Sequence, residues 1–126
     1  MTVQGPYPSY PIDSAVLEQF VAETSTEAVA AFVASFVDLA PERLRRIRRA
    51  CATRETEQAV IALLSLRSSA AMIGADRLVG ATSALLRVLR SAPRPWAAID
   101  DAVEHQVGAA VDEVLLALTG RTGWSG

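Results

Sequence analysis

The chain has 126 residues, is 51% hydrophobic and carries a net charge of −2, with 12 basic against 14 acidic side chains. That size suits a single domain with an adequate core, and the near-neutral balance gives no reason to expect nucleic acid or an anionic membrane as a partner. No stretch approaches the roughly 20 apolar residues that span a bilayer, and the N-terminus has neither a basic n-region nor an apolar h-region, so a cytoplasmic protein is expected. A single cysteine, Cys51, excludes an intrachain disulfide and a Cys-rich metal centre, and its place on an apolar helical stripe reads as a small buried hydrophobe. Every basic residue is arginine, which points to a GC-rich coding genome and says nothing about mechanism.

Residues 1–11 interleave Pro6, Pro8 and Pro11 with Tyr7 and Tyr10. Proline fixes φ and removes a donor, so this stretch reads as an extended arm laid on the rest of the chain. Asp13 is placed to cap a short helix reaching Ala22, with Val16, Leu17 and Phe20 as its apolar side. Thr24-Ser25-Thr26-Glu27 fits a capping box with Thr24 as N-cap, opening a long helix. Its apolar stripe, Val29, Phe32, Val33, Phe36, Val37, Ala40, Leu44, Ile47 and Cys51, advances by threes and fours straight through Pro41. Pro41 therefore reads as a kink within one helix, costing the hydrogen bond to the Val37 carbonyl. The second half of this helix carries Arg43, Arg45, Arg46, Arg48 and Arg49, a solvated polar face where the macrodipole favours positive charge.

After a turn at Ala52 to Arg54 a third helix opens with Glu55 and Glu57 and closes at Gly74, a natural C′ residue. At about 100° per residue it places Ala59, Ala62, Leu63, Leu66, Ser69, Ala70 and Ile73 on one side and Glu57, Val60, Leu64, Arg67, Ser68 and Ala71 on the other. The first side is core. The second is polar apart from its apolar positions, Leu64 chief among them. Asp76 opens a fourth helix with the buried stripe Leu78, Ala81, Thr82, Leu85 and Leu89 and a wet side of Arg77, Arg87 and Arg90. Ser91 to Pro95 is a loop whose second proline suits a helix N1 position. The last helix shows Ile99, Val103, Val107, Ala110, Val114 and Leu118, and stops at Gly120. Residues 120–126 read as a frayed tail in which Trp124 has no evident role. Together these make an all-α, antiparallel up-down four-helix bundle over residues 12–119 with a short extra N-terminal helix.

The run Leu64-Ser65-Leu66-Arg67-Ser68-Ser69-Ala70-Ala71-Met72-Ile73-Gly74-Ala75 resembles the signature helix of histidine-containing phosphotransfer (Hpt) domains, H-x-L-K-G-S-x-x-x-L-G-A. Leu66, Ser69, Ile73, Gly74 and Ala75 match, and Arg67 keeps the charge of the lysine. Two positions depart from the pattern: Leu64 stands where the family carries the phosphorylated histidine, and Ser68 where it carries the glycine that gives a partner close access. The resemblance extends over roughly residues 12–119 and implies a bacterial two-component or phosphorelay module that docks a response-regulator receiver domain or a histidine kinase module.

Relay chemistry needs a nucleophilic nitrogen, and leucine has none. Ser65 and Ser68 lack a neighbouring base in sequence. Ser69, on the core face, is expected to bond back to the Ser65 carbonyl. The only histidine, His105, sits beside Glu104 on the last helix as a solvent-facing side chain. No metal-ligand spacing and no glycine-rich phosphate loop is present, so no enzyme activity and no cofactor is expected. The resulting expectation is a monomeric Hpt-like protein that binds a receiver or kinase module without carrying phosphate. Its partner face would comprise Val60, Leu64, Arg67, Ser68 and Ala71, with Arg43, Arg46 and Arg49 as a candidate basic patch for an acidic partner. The alternative is a structural helical module whose Leu64 face mediates homodimerisation or scaffolding.

Overall fold

The computed structural model describes residues 11–119, which are helical with no strand among them. Both the proposed N-terminal arm, apart from its last residue, and the tail with Trp124 lie outside the described residues. The elements are α1 (Ser14–Glu23), α2 (Thr26–Ala52), α3 (Thr56–Met72), α4 (Asp76–Leu89) and α5 (Trp96–Ala102). A π-helical segment, Val103–Gly108, joins α5 without a break to α6 (Ala109–Thr119). Four long elements, α2, α3, α4 and the α5-to-α6 run, form the antiparallel bundle. Helix α2 packs on α3 and on the last run, α4 does the same, and α3 and the last run stand diagonally opposite, with no Cα atoms within 8 Å of one another.

Apolar spacing explains the packing. From α2 the core takes Phe36, Ala40, Leu44, Ile47 and Cys51, from α3 Ala59, Leu63, Leu66 and Ala70, from α4 Leu78, Leu85, Leu86 and Leu89, and from the last run Ile99, Val103, Val107, Val111 and Val114. Helix α2 continues through Pro41, as the unbroken stripe requires. The one buried hydroxyl among the described residues, Thr82, donates to the carbonyls of Leu78 and Val79 at 2.8 and 3.0 Å, so its polarity is satisfied within its own helix.

Helix ends show where sequence reasoning held and where it slipped by a residue. Asp13 caps α1, its carboxylate accepting from the Ala15 N–H at 3.0 Å. The N-cap of α2 is Ser25 rather than Thr24: the Ser25 hydroxyl accepts from the Ala28 N–H at 3.0 Å, while Thr24 donates to the Phe20 carbonyl at 2.7 Å and finishes α1 instead. With two hydroxyls side by side, each terminus takes one. Pro95 likewise occupies the N-cap and not N1, its carbonyl accepting from the Ile99 N–H at 2.9 Å.

Both turns flanking α3 are Schellman motifs. After α2, the Glu55 and Arg54 N–H groups donate to the Ala50 and Cys51 carbonyls at 2.8 and 3.1 Å; after α3, those of Ala75 and Gly74 donate to Ala70 and Ala71 at 2.9 and 3.2 Å. The left-handed residue is Gly74 (φ 71°) in the second and Arg54 (φ 60°) in the first. Gly74 also seats α1: its carbonyl accepts from the Asp13 N–H at 2.8 Å, and a Cβ there would lie 2.9 Å from the Asp13 carbonyl oxygen.

The π-helical segment went unseen in a stripe that reads as regular helix. A π turn carries an extra residue, so it rotates the helix beyond it. Gly108 and Val111, absent from the expected stripe, become buried beside Val107, and Leu118, its expected last member, is only half-buried.

Candidate docking face and arginine groove

Helix α3 divides as expected into a core side and an outer side, with differences in detail. Ser68 and Ala71 are exposed, whereas Val60, Leu64 and Arg67 are half-buried. Leu64 therefore does not stand free in solvent: it leans on the core and leaves part of its surface open. Two large apolar side chains of α3 do protrude, Met72 at its C-terminal end and Ile61, 54% exposed, which the sequence reading passed over; Ile61 is the one beside Leu64. It lies one turn before Leu64 and Ser65, and the exposed hydroxyls of Ser65 and Ser68 continue the same outward strip.

The five arginines of α2 split into two groups. Arg45 pairs with Glu42 on its own helix. Arg48 reaches across Gly108 to Glu104 in a two-pronged contact, Nε to Oε2 at 2.7 Å and Nη2 to Oε1 at 3.0 Å. This contact holds the Glu104 carboxyl below its usual range, chiefly by the hydrogen bond, with Coulomb attraction adding to it. Arg43, Arg46 and Arg49, at three-residue spacing, face α3 instead. They line a groove of about 320 Å³ with Ala50, Glu55, Gln58, Ile61, Ala62 and Ser65. Arg43 donates to the Ser69 hydroxyl at 3.3 Å. Ser69 is thus half-buried and tied to α2, rather than bonded back to the Ser65 carbonyl as expected from sequence. Gln58, Ile61 and Ser65 are the groove residues that sequence reasoning missed. Their signal was positional, one helical turn apart at the α2-facing edge of the outer side.

His105 lies on the π-helical segment, exposed, with Nε2 3.6 Å from the Asp101 carboxylate. Because it is exposed on the run diagonally opposite α3, this imidazole is remote from the Leu64 face. Cys51 is buried, and burial pushes its thiol up to about 11, so it is neither a nucleophile nor a ready ligand at neutral pH. Among the described residues no cluster of His, Cys, Asp and Glu could hold a metal ion, and no helix is long and apolar enough to cross a membrane.

Residues 31–117 match the Hpt domain family, and with well over half of its length so matched the chain belongs to that family. No curated protein and no solved structure matches it. Hpt domains serve phosphorelay signalling, where they interact with receiver and kinase modules, and the chain is accordingly a phosphorelay-type signalling module.

Proposed function

We propose that this Hpt domain recognises a receiver domain or kinase module without itself carrying phosphate. The observation that supports this most directly is Leu64, which occupies the signature-helix position of the phosphoacceptor and offers no lone pair. Helix α3 contains no histidine at all, and His105 sits on the diagonally opposite run. Docking would use the outer strip of α3, Val60, Leu64, Arg67, Ser68 and Ala71, with Ile61 joining them, while Arg43, Arg46 and Arg49 would favour an acidic partner. Full burial of a leucine contributes roughly 1.5 to 3 kcal/mol, so half-buried Leu64 supplies only part of that and Ile61 becomes the larger apolar contact. By this reading the protein competes for, scaffolds or sequesters its partner.

The test is incubation of the full chain with a phosphodonor kinase or a phosphorylated receiver. No acid-labile label is expected on the wild-type protein, and a label on His105 would overturn the proposal. The Leu64→His/Ser68→Gly double variant should gain acid-labile label, because it restores both the nitrogen and the open approach. A folded double variant that stays unlabelled with every donor that binds would show that the face has diverged from the family's docking geometry.

A further inference from the structure

The ion pairs of the bundle leave three clustered cations without a carboxylate in contact, Glu42, which pairs with Arg45, acting on Arg46 and Arg49 only through Coulomb attraction at longer range. Arg45, Arg48, Arg54 and Arg77 each pair with a carboxylate, whereas Arg43, Arg46 and Arg49 have none within 4 Å among the described residues. All three line the α2–α3 groove, and the single carboxylate there, Glu55, already accepts from the Thr53 hydroxyl at 2.8 Å. Their six-residue span covers about 9 Å of helix. The Gln58 amide and Ser65 hydroxyl add neutral donors, and Ile61, Ala50 and Ala62 supply an apolar wall. The volume of about 320 Å³ is at the small-molecule end of binding-site sizes.

We propose that this groove binds a small ligand bearing a chain of two or more phosphate groups, held by Arg43, Arg46 and Arg49. The guanidinium fork matches phosphate oxygens in pairs, and three forks in a row along one helix face match a linear series of phosphates better than a single one. Both neutral donors point to oxygen-rich chemistry, and the apolar wall has room for a ring carried at one end of the chain. Since Ile61 and Ser65 are shared with the outer strip of α3, an occupied groove would change what docks there. That consequence rests on the docking reading; the binding itself does not.

Calorimetric titration of the full chain at low salt tests it, with inorganic phosphate, tripolyphosphate and ATP as separate ligands. Tripolyphosphate should bind one to one and more tightly than phosphate; tighter binding of ATP would assign the apolar wall to a base, and equal binding would assign the site to the phosphate chain alone. Arg46→Gln/Arg49→Gln should weaken tripolyphosphate by about tenfold or more, while Arg87→Gln/Arg90→Gln, with the same loss of charge at the C-terminal end of α4, should leave it nearly unchanged. Equal losses in both doubles would reduce the effect to diffuse charge and overturn the site. So would the absence of saturable binding, or capture of an oligoglutamate peptide through Arg46 and Arg49 with no binding of tripolyphosphate. Circular dichroism of the variants, whose altered side chains are exposed, confirms that they remain folded.

Discussion

Arg54 carries a conformation that most side chains avoid. At φ 60° it occupies the left-handed slot usually given to glycine, and what holds it there is visible. Its guanidinium donates to the Cys51 carbonyl at 2.9 Å and to both Asp100 oxygens at 3.1 Å, and lies 4.6 Å from the Trp96 ring. The side chain thus fastens the α2–α3 turn to α5 while the backbone bears strain of about 1 kcal/mol or more. We expect Arg54→Gly to be nearly neutral, because relief of strain offsets the lost contacts. Arg54→Ala keeps the strain, loses the contacts and should cost about 1 kcal/mol in urea denaturation. A larger loss for glycine than for alanine would refute that division. None of this was legible in sequence, where Arg54 was simply part of a turn: its partners on α5, Asp100 and Trp96, lie more than 40 positions away. Leu64 shows the same limit. Helical periodicity put it on the outer side correctly, but how far a side chain leans against its neighbours depends on their packing, and the structure makes Ile61 the more exposed of the two.

Helix existence and facing were readable because apolar spacing is a property of each element alone. Helix ends were readable to within one residue, since adjacent hydroxyls such as Thr24 and Ser25 compete for the same cap. The π-helical segment was not readable, because Ile99, Val103 and Val107 repeat every four residues, which suits either helix type. The attachment of α1 was hidden for another reason: Gly74 was recognised as a helix terminator, yet its lack of a Cβ serves two elements. A methyl group there would meet the Asp13 carbonyl oxygen and the Val16 Cβ, both at 2.9 Å. Gly74→Ala should therefore cost about 2 kcal/mol and loosen α1 from the bundle, seen as faster amide exchange in residues 14–23 than in α4. Uniform change across all helices would contradict this.

Across the molecule, the arginine groove and the outer strip of α3 came together only in three dimensions. Each was noted separately in sequence, Arg43, Arg46 and Arg49 as a patch and Leu64 as an outward position, but the register of α2 against α3 that joins them was not available. The exposed Ile61 beside Leu64 is also what a second copy of the chain would seek. Sedimentation decides: the docking reading expects a monomer, whereas a concentration-dependent dimer weakened by Leu64→Glu would favour self-association.

Charge acts elsewhere in the bundle. Glu104 has its carboxyl pKa lowered by Arg48, so the pair's contribution is complete above the ordinary carboxylate value and is lost as pH falls through the depressed one. The stability gap between wild type and Glu104→Gln, about 0.5 kcal/mol at neutral pH for a surface pair, should close on acidification. A gap that stayed constant with pH would show that the lost contact is not ionic.

Among the described residues, every ion pair linking different elements ends on the run from α5 to α6: Arg48 on Glu104, Arg54 on Asp100 and Arg77 on Glu113. Helix α3 has no such anchor and is kept in place by hydrocarbon and one Arg43–Ser69 hydrogen bond. Rising ionic strength should therefore relax the rear wall of the bundle before its front. Helix α3 would keep its seat in brine that unfastens the run behind it.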